Sequence, residues 1–213
     1  MDILKLANLF CEASLKHNQF QKLNNLKEID DYAKKNLTKI DSGSSRNVYI
    51  VNSRKALKVA KPSTEQPGVE QNKAEKEMAE QFQKMNIDCY TKVYQYHPQY
   101  FWIIADLVRP VRDNDELANL LGVNSDTMFS LFAPPTFKRK PLPANVPQQL
   151  LQLKKLVDSG MLGRDIMKSN SWGKTADGQA VLLDYGMTGQ VFKDYYSKSS
   201  TYEWEDEEED DEK

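Results

Sequence analysis

Residues 158–188, DSGMLGRDIMKSNSWGKTADGQAVLLDYGMT, decide how the rest of the chain is read. Within them Asp165 and Asn170 lie five positions apart, two short strand-like runs flank the turn Ala176-Asp177-Gly178, and the apolar run Val181–Leu183 ends on Asp184-Tyr185-Gly186. An Asp-Gly turn between short apolar runs is a hairpin signal, so the stretch predicts a loop, a tight hairpin and a carboxylate at the hairpin's end. Magnesium takes oxygen ligands in near-octahedral array and keeps several waters, so one or two protein oxygens plus phosphate oxygens complete its shell. Asp184 offers a carboxylate and Asn170 a carbonyl oxygen, brought to one place by the hairpin between them. Asp165 is then placed to orient or deprotonate an attacking hydroxyl.

On these residues the chain resembles the protein-kinase-like fold family. Gly163-Arg164-Asp165 with Asn170 is similar to that family's catalytic loop, and Asp184-Tyr185-Gly186 to its metal-binding motif. The resemblance implies further motifs upstream, in a fixed order. Around Gly43, the segment Ser42–Tyr49 turns into a strand; after the polar turn Asn52-Ser53-Arg54 a second strand runs Ala56-Leu57-Lys58-Val59-Ala60. These resemble the glycine-rich loop and the strand that follows it. Gly43 lets the backbone approach phosphate, Ser44 and Ser45 add donors, Arg46 is placed to reach phosphate itself, and Lys58 is a point charge suited to phosphate oxygens. The helical stretch 70–84, EQNKAEKEMAEQFQK, offers Glu75 to pair with Lys58, with Glu77 as the second choice. Between these blocks Tyr100–Val108 is an apolar strand ending at Arg109-Pro110. It resembles the hinge, so Asp106 and Leu107 are expected to read an adenine edge, with Val48 and Ala56 above the ring and Trp172 a candidate below it.

Single motifs of this kind recur by chance; the collinear set, over roughly residues 40 to 190, is what carries weight. The departures are informative. Of the family's three loop glycines only Gly43 is present, with Asp41 and Arg46 at the flanking places. Gly163 stands where the family has histidine, which predicts weaker packing support for the loop, and the loop's basic residue is displaced to Lys168. Tyr185 replaces phenylalanine. Only 27 residues follow Gly186, too few for an activation segment, its anchor and the helices that hold a peptide substrate. Nucleotide binding is thus better supported than transfer to any particular target.

The chain's 213 residues accommodate one domain of two lobes or two small domains, and 39% hydrophobic with 28% charged residues is an ordinary soluble composition. Cys11 and Cys89 sit in unrelated apolar contexts with only His17 and His97 as nitrogen partners, so buried thiols are expected rather than zinc. No apolar run reaches the length of a membrane span and Met1-Asp2-Ile3-Leu4-Lys5 lacks a signal peptide's start, so a cytoplasmic protein without a membrane partner is expected. Two amphipathic runs, Ile3 to Ser14 and Phe20 to Leu37, predict helices ahead of the loop, packed on the small lobe's sheet. Asp113–Phe132 reads as one or two helices, Ala133–Pro147 as a proline-rich connector carrying Lys138, Arg139 and Lys140, and Gln148–Asp158 as the central helix that delivers Asp165. From Glu203 onward nine acidic residues face one lysine, a net charge of −8 in a chain of net −2, so the first 202 residues carry about +6. Such a run cannot bury enough to order itself. The basic tripeptide alone is unspecific, and a nucleic-acid partner is not expected.

The expected architecture is α+β: a two-lobed kinase-like fold with an antiparallel-sheet small lobe and a shortened helical large lobe. Its expected divisions are residues 1–40, an N-terminal helical extension; 41–108, the small lobe; 109–192, the large lobe; and 193–213, a disordered acidic tail. The resemblance implies ATP and magnesium as cofactors and transfer of the γ-phosphoryl group to a protein or small-molecule hydroxyl. Lys58, Glu75 and Asp165 are the catalytic candidates; Gly43, Ser44, Ser45, Arg46, Val48, Ala56, Lys58, Asp106 and Leu107 hold the nucleotide; Asn170 and Asp184 bind the metal. The alternatives are a pseudokinase, or a structural or interaction protein in which the fold is only a support. In size and style the chain is similar to compact tailed-phage proteins, in which case host cytoplasm or the virion is its place.

Overall fold

The computed structural model describes residues 20–133, 137–138, 140–158 and 163–197. The first amphipathic run, parts of the proline-rich connector, residues 159–162 after the central helix and the acidic tail lie outside the described residues.

Helix α1 (Leu26–Asn36) starts where the Asn25 side chain accepts hydrogen bonds from the amides of Lys27 and Glu28. Glu28 in its first turn and Lys34 and Lys35 in its last suit the helix dipole. Its apolar face, Leu26, Ile29 and Ala33, packs with Phe20 on Tyr49, Leu57, Val59 and Trp102 of the sheet, as the amphipathic spacing predicts. Buried Asp30 is held there by Asn47 Nδ2 at 3.2 Å, Tyr49 Oη at 3.4 Å and Lys34 at 2.6 Å.

The sheet comprises β1 (Thr38–Ser42), β2 (Arg46–Asn52), β3 (Lys55–Ala60), β4 (Val93–Tyr96) and β5 (Trp102–Asp106), in the order β1-β2-β3-β5-β4 and antiparallel throughout. The β2–β3 turn is closed by Asn52 Oδ1, which accepts from the Arg54 amide at 2.9 Å, the local reason Asn-Ser-Arg reverses the chain. β3 lies in the middle, and Leu57, Lys58, Val59 and Ala60 are all buried. From β3 the chain passes through a 3-10 turn (Pro62–Thr64) into α2 (Glu65–Lys84), which packs on β3, β4 and β5. Gly68 lets α2 approach: a Cβ there would stand 2.8 Å from Ala60 Cβ and also press on the Ser45 carbonyl.

A second core forms around Phe82, Leu131, Phe132, Leu150, Leu153, Trp172, Leu182 and Tyr185. It is enclosed by α3 (Asn114–Leu121), α4 (Ser125–Phe132), α5 (Gln148–Asp158), α6 (Gly163–Ile166) and a small sheet of β6 (Arg109–Pro110), β7 (Trp172–Lys174) and β8 (Ala180–Leu182), ordered β6-β7-β8. The predicted pair of helices is present, capped by Asp113 and Asn124. The predicted hairpin is β7–β8, turning at Gly178 with φ of 91°. Helix α7 (Gly189–Tyr195), capped by Thr188, returns onto α2.

The chain is therefore α+β, with a five-stranded antiparallel sheet. Two expected boundaries fall inside elements. β1, an edge strand, spans 40/41, and α7 spans 192/193. No described helix is long and apolar enough to cross a membrane.

Candidate functional site

One cavity of about 450 Å³ lies between the sheet and the β7–β8 segment, within the range of about 300–1,000 Å³ usual for small-molecule sites. Strand register orders its wall. Lys55 pairs with Asp106 and Ala56 with Ala105; Val48 pairs with Lys58; Arg46 pairs with Ala60. Successive residues advance about 3.3 Å along a strand. The wall thus runs from an apolar end at Ala56, Asp106, Leu107 and Val108 to a charged end at Lys58, Ser45 and Arg46.

At the charged end buried Arg46, Lys58 and Glu75 form one network with half-exposed Asp184. Lys58 Nζ pairs with Glu75 Oε1 and also donates to the Leu183 carbonyl at 2.7 Å. Arg46 forks: Nη1 lies 2.7 Å from Glu75 Oε2, and Nη2 lies 2.7 Å from Asp184 Oδ1. Nη1 also reaches Asn72 Oδ1 at 3.3 Å. Glu75 is 0% exposed, and α2 places it, Asn72 and Gln71 on the side that faces the cavity. Glu77, the second choice, is exposed. Burial disfavours the Arg46 charge, but Asp184 and Glu75 more than restore it, so the guanidinium stays firmly protonated. Lost hydration pushes the Asp184 carboxyl up; Arg46 and Lys58 outweigh this and hold it below the usual carboxylate range.

The β1–β2 turn forms the lip of the charged end. It closes with Gly43 N donating to the Arg46 carbonyl at 3.0 Å. Its carbonyls are tied down: Ser45 O accepts from Lys61 N at 2.8 Å, Ser44 O from Thr64 Oγ1 at 3.3 Å, and Gly43 O from Lys61 Nζ. Ser45 lines the cavity, and its buried Oγ meets no hydrogen-bond partner among the described residues.

Asp184 is fixed from both sides along the chain. Tyr185 is buried against Phe82 and Tyr90, and Gly186 lies so close to α2 that a Cβ would strike the Gln71 carbonyl. The Ser171 carbonyl accepts from Leu183 N at 2.8 Å, which sets the turn carrying Asn170 beside Asp184. Both Asn170 and Asp184 line the cavity, and Asp184 is half exposed. Two oxygen donors are what magnesium requires of a protein when phosphate completes its shell, so the residues fit that ion. Among the described residues no cluster of three or more His, Cys, Asp or Glu side chains is placed to hold a metal. Asp165 does not line this cavity; it sits on α6, paired with Lys168 at 2.6 Å.

No family model matches the chain, and no curated protein sequence matches it. Among solved structures, SAICAR synthase from Saccharomyces cerevisiae, complexed with SAICAR, aligns with 11% identity and a TM-score of 0.30, over 77% of this chain and 74% of that chain. A likeness that remote carries no argument, and the site is read from its own geometry.

Of the residues singled out from sequence, Gly43, Ser44, Ser45, Arg46, Val48, Ala56, Lys58, Asp106, Leu107, Asn170 and Asp184 share the cavity. Three readings need correction. Trp172 does not floor the cavity; it is fully buried in the second core, where its indole N–H donates to the Ile166 carbonyl at 2.7 Å, and Leu183 and Met187 line the cavity instead. The Leu107 amide is not available to an adenine edge, because it donates to the Arg54 carbonyl at 2.9 Å. Gly163 is not a gap in packing: the C-terminal carbonyl of α4, Phe132 O, lies against its α-carbon, and Val157 Cγ1 would be 2.8 Å from a Cβ. Gly163→Ala should therefore overpack the α4–α6 contact and cost about 1–3 kcal/mol. Urea unfolding of parent and variant checks this, and an unchanged midpoint would show that α6 yields freely. Val108, Gln71 and Met187 also line the cavity and were missed; alternation along the hinge strand would have suggested Val108, but nothing local marks the other two.

Proposed function

We propose that the chain is an ATP-dependent phosphotransferase built on a two-lobed kinase-like plan, with nucleotide in the cavity beneath the β1–β2 turn. The observation that carries this is the placement of Lys58, Glu75, Arg46 and Asp184 in one network at the far end of a cavity whose near end is apolar. A flat aromatic base suits the Val48, Ala56 and Leu107 end, and phosphates suit the cationic end. The orphaned Ser45 hydroxyl would find an acceptor in a phosphate oxygen.

In this reading Asp184 and Asn170 hold magnesium, which when bound neutralises charge on the phosphate oxygens. Lys58, kept in position by Glu75, holds the α- and β-phosphates; Arg46 exchanges Asp184 for phosphate oxygens as nucleotide enters. Asp165 accepts the proton of the attacking hydroxyl. A bond forms between that oxygen and the γ-phosphorus while the bond to the β–γ bridging oxygen breaks, releasing ADP. Most of the acceleration comes from alignment and charge neutralisation.

One observation favours a second reading, a nucleotide-binding protein with little turnover. Arg46 occupies Asp184, the expected metal ligand, at 2.7 Å and is itself buried. Thermal melting with and without millimolar magnesium-ATP tests both. Ligand at about 100 times its dissociation constant adds about 2.7 kcal/mol to the folded state. For a domain of this size that is a rise of about 5–10 °C. The rise is expected in the parent and not in Asp184→Ala, each compared with its own ligand-free melt. A rise without subsequent transfer to any hydroxyl favours the second reading; no rise in the parent removes both.

A further inference from the structure

The C-terminal end of α7 brings one hydroxyl to the lip of the cavity. Tyr196 Oη lies 2.7 Å from Gln71 Nε2 and 3.3 Å from Ser44 Oγ, and both partners line the cavity. These contacts join residues 125 and 152 positions apart, so they exist only because α7 folds back onto α2. The amide nitrogen of Gln71 can only donate, so the phenolic oxygen accepts there, while between the phenol and Ser44 Oγ either hydroxyl can be the donor. Ser44 lies in the turn just before Arg46, which the register places beyond Lys58, at the charged end of the cavity.

We propose that Tyr196 is a phosphoryl acceptor for this site, modified in cis by a nucleotide bound in the same chain. The inference rests on the nucleotide reading above. A γ-phosphoryl group lying beneath the turn Gly43–Arg46 is adjacent to Ser44, and therefore to the phenol that Ser44 holds. The Tyr196 oxygen bonds to the γ-phosphorus, the bond from that phosphorus to the β–γ bridging oxygen breaks, and its electron pair leaves with ADP. The phenolic proton passes by way of Ser44 Oγ to water at the cavity mouth. The product carries about −1.5 to −2 charges at neutral pH, at the turn whose Gly43 carbonyl accepts from the Lys61 ammonium. A phosphorylated Tyr196 no longer fits the pocket between Gln71 and Ser44, so modification releases α7 from the turn.

The test incubates the full chain with magnesium and γ-labelled ATP, maps the labelled residue by peptide mass spectrometry, and follows the initial rate on serial dilution of the protein. Label on Tyr196 at up to one group per chain, with a first-order rate constant unchanged by dilution and no such label in Asp184→Ala, is the expected result. Tyr196→Phe should lose that label, and site mapping in the parent protein decides the matter if this variant does not fold. Magnesium-ATP that raises the melting temperature yet labels other residues, or none, overturns the Tyr196 proposal and leaves nucleotide binding standing. A labelling rate that scales with protein concentration also overturns it, since transfer is then between chains. No thermal response and no label remove this proposal together with the reading beneath it.

Discussion

Glu75→Ala should destabilise the protein by about 3–5 kcal/mol, the usual penalty for removing one partner of a buried ion pair. Glu75 is wholly buried and answers two cations, Lys58 on one oxygen and Arg46 on the other. With two cations and two anions the network is neutral; without Glu75 it carries one uncompensated positive charge away from water. Among the described residues Lys58 would keep only the Leu183 carbonyl, and Arg46 only Asp184 and Asn72. Against a total stability of about 5–15 kcal/mol, such a loss is a large fraction of the whole. The melting temperature should fall by about 6–20 °C. Exposed Glu77, two positions on, supplies the comparison: Glu77→Ala should stay within about 0.5 kcal/mol of the parent. If both variants melt alike, the network does not persist in solution.

Asp165→Ala should have the opposite signature. Its pair with Lys168 lies near the surface, and such pairs contribute about 0–1 kcal/mol, so the fold should hardly register the loss. Neither should the stabilisation by magnesium-ATP, because Asp165 does not line the cavity. Transfer to a separate hydroxyl acceptor should slow by about 10²–10⁴-fold, the usual contribution of a positioned general base, whereas labelling of Tyr196, whose proton leaves by way of Ser44, should not. Initial rates with saturating nucleotide, set beside melts of the same preparations, separate the effects. Undiminished transfer would remove Asp165 from the chemistry, and a lost thermal response would move it from base to binding residue.

The parts of this site legible in the sequence are those whose cause is local. The Asn-Ser-Arg turn and the β2–β3 pairing it enforces put Lys58 mid-sheet, and the Asp-Gly hairpin places Asp184 after β8. The choice between Glu75 and Glu77 was open because α2 buries Gln71, Asn72 and Glu75 along with Ala74 and Met78, so polarity does not mark its inner face. The role of Arg46 was half legible. Its position beside the turn marks it as a phosphate candidate, but its partner Asp184 is 138 residues away, and no periodicity announces such a pair. Gly163 and Trp172 were misread for a related reason. A missing side chain looks like weakness until the Phe132 carbonyl is found in its place, and an indole beside a loop looks available until Ile166 takes its N–H. The α7 contacts could not be read at all, since they depend on how the last described turn lies across α2.

Helix α2 belongs to both cores at once. At about 1.5 Å per residue its 20 residues span about 30 Å. Its first half carries Gly68, Gln71 and Glu75 against the turn and the cavity, and its second half drives Met78, Ala79 and Phe82 into the core around Trp172. A rod clamped at both ends transmits displacement. A shift at Phe82 tilts the axis on which Glu75 is mounted, and Glu75 in turn sets where Lys58 and Arg46 rest. The cavity's charges are thus held in place from a core that does not line the cavity.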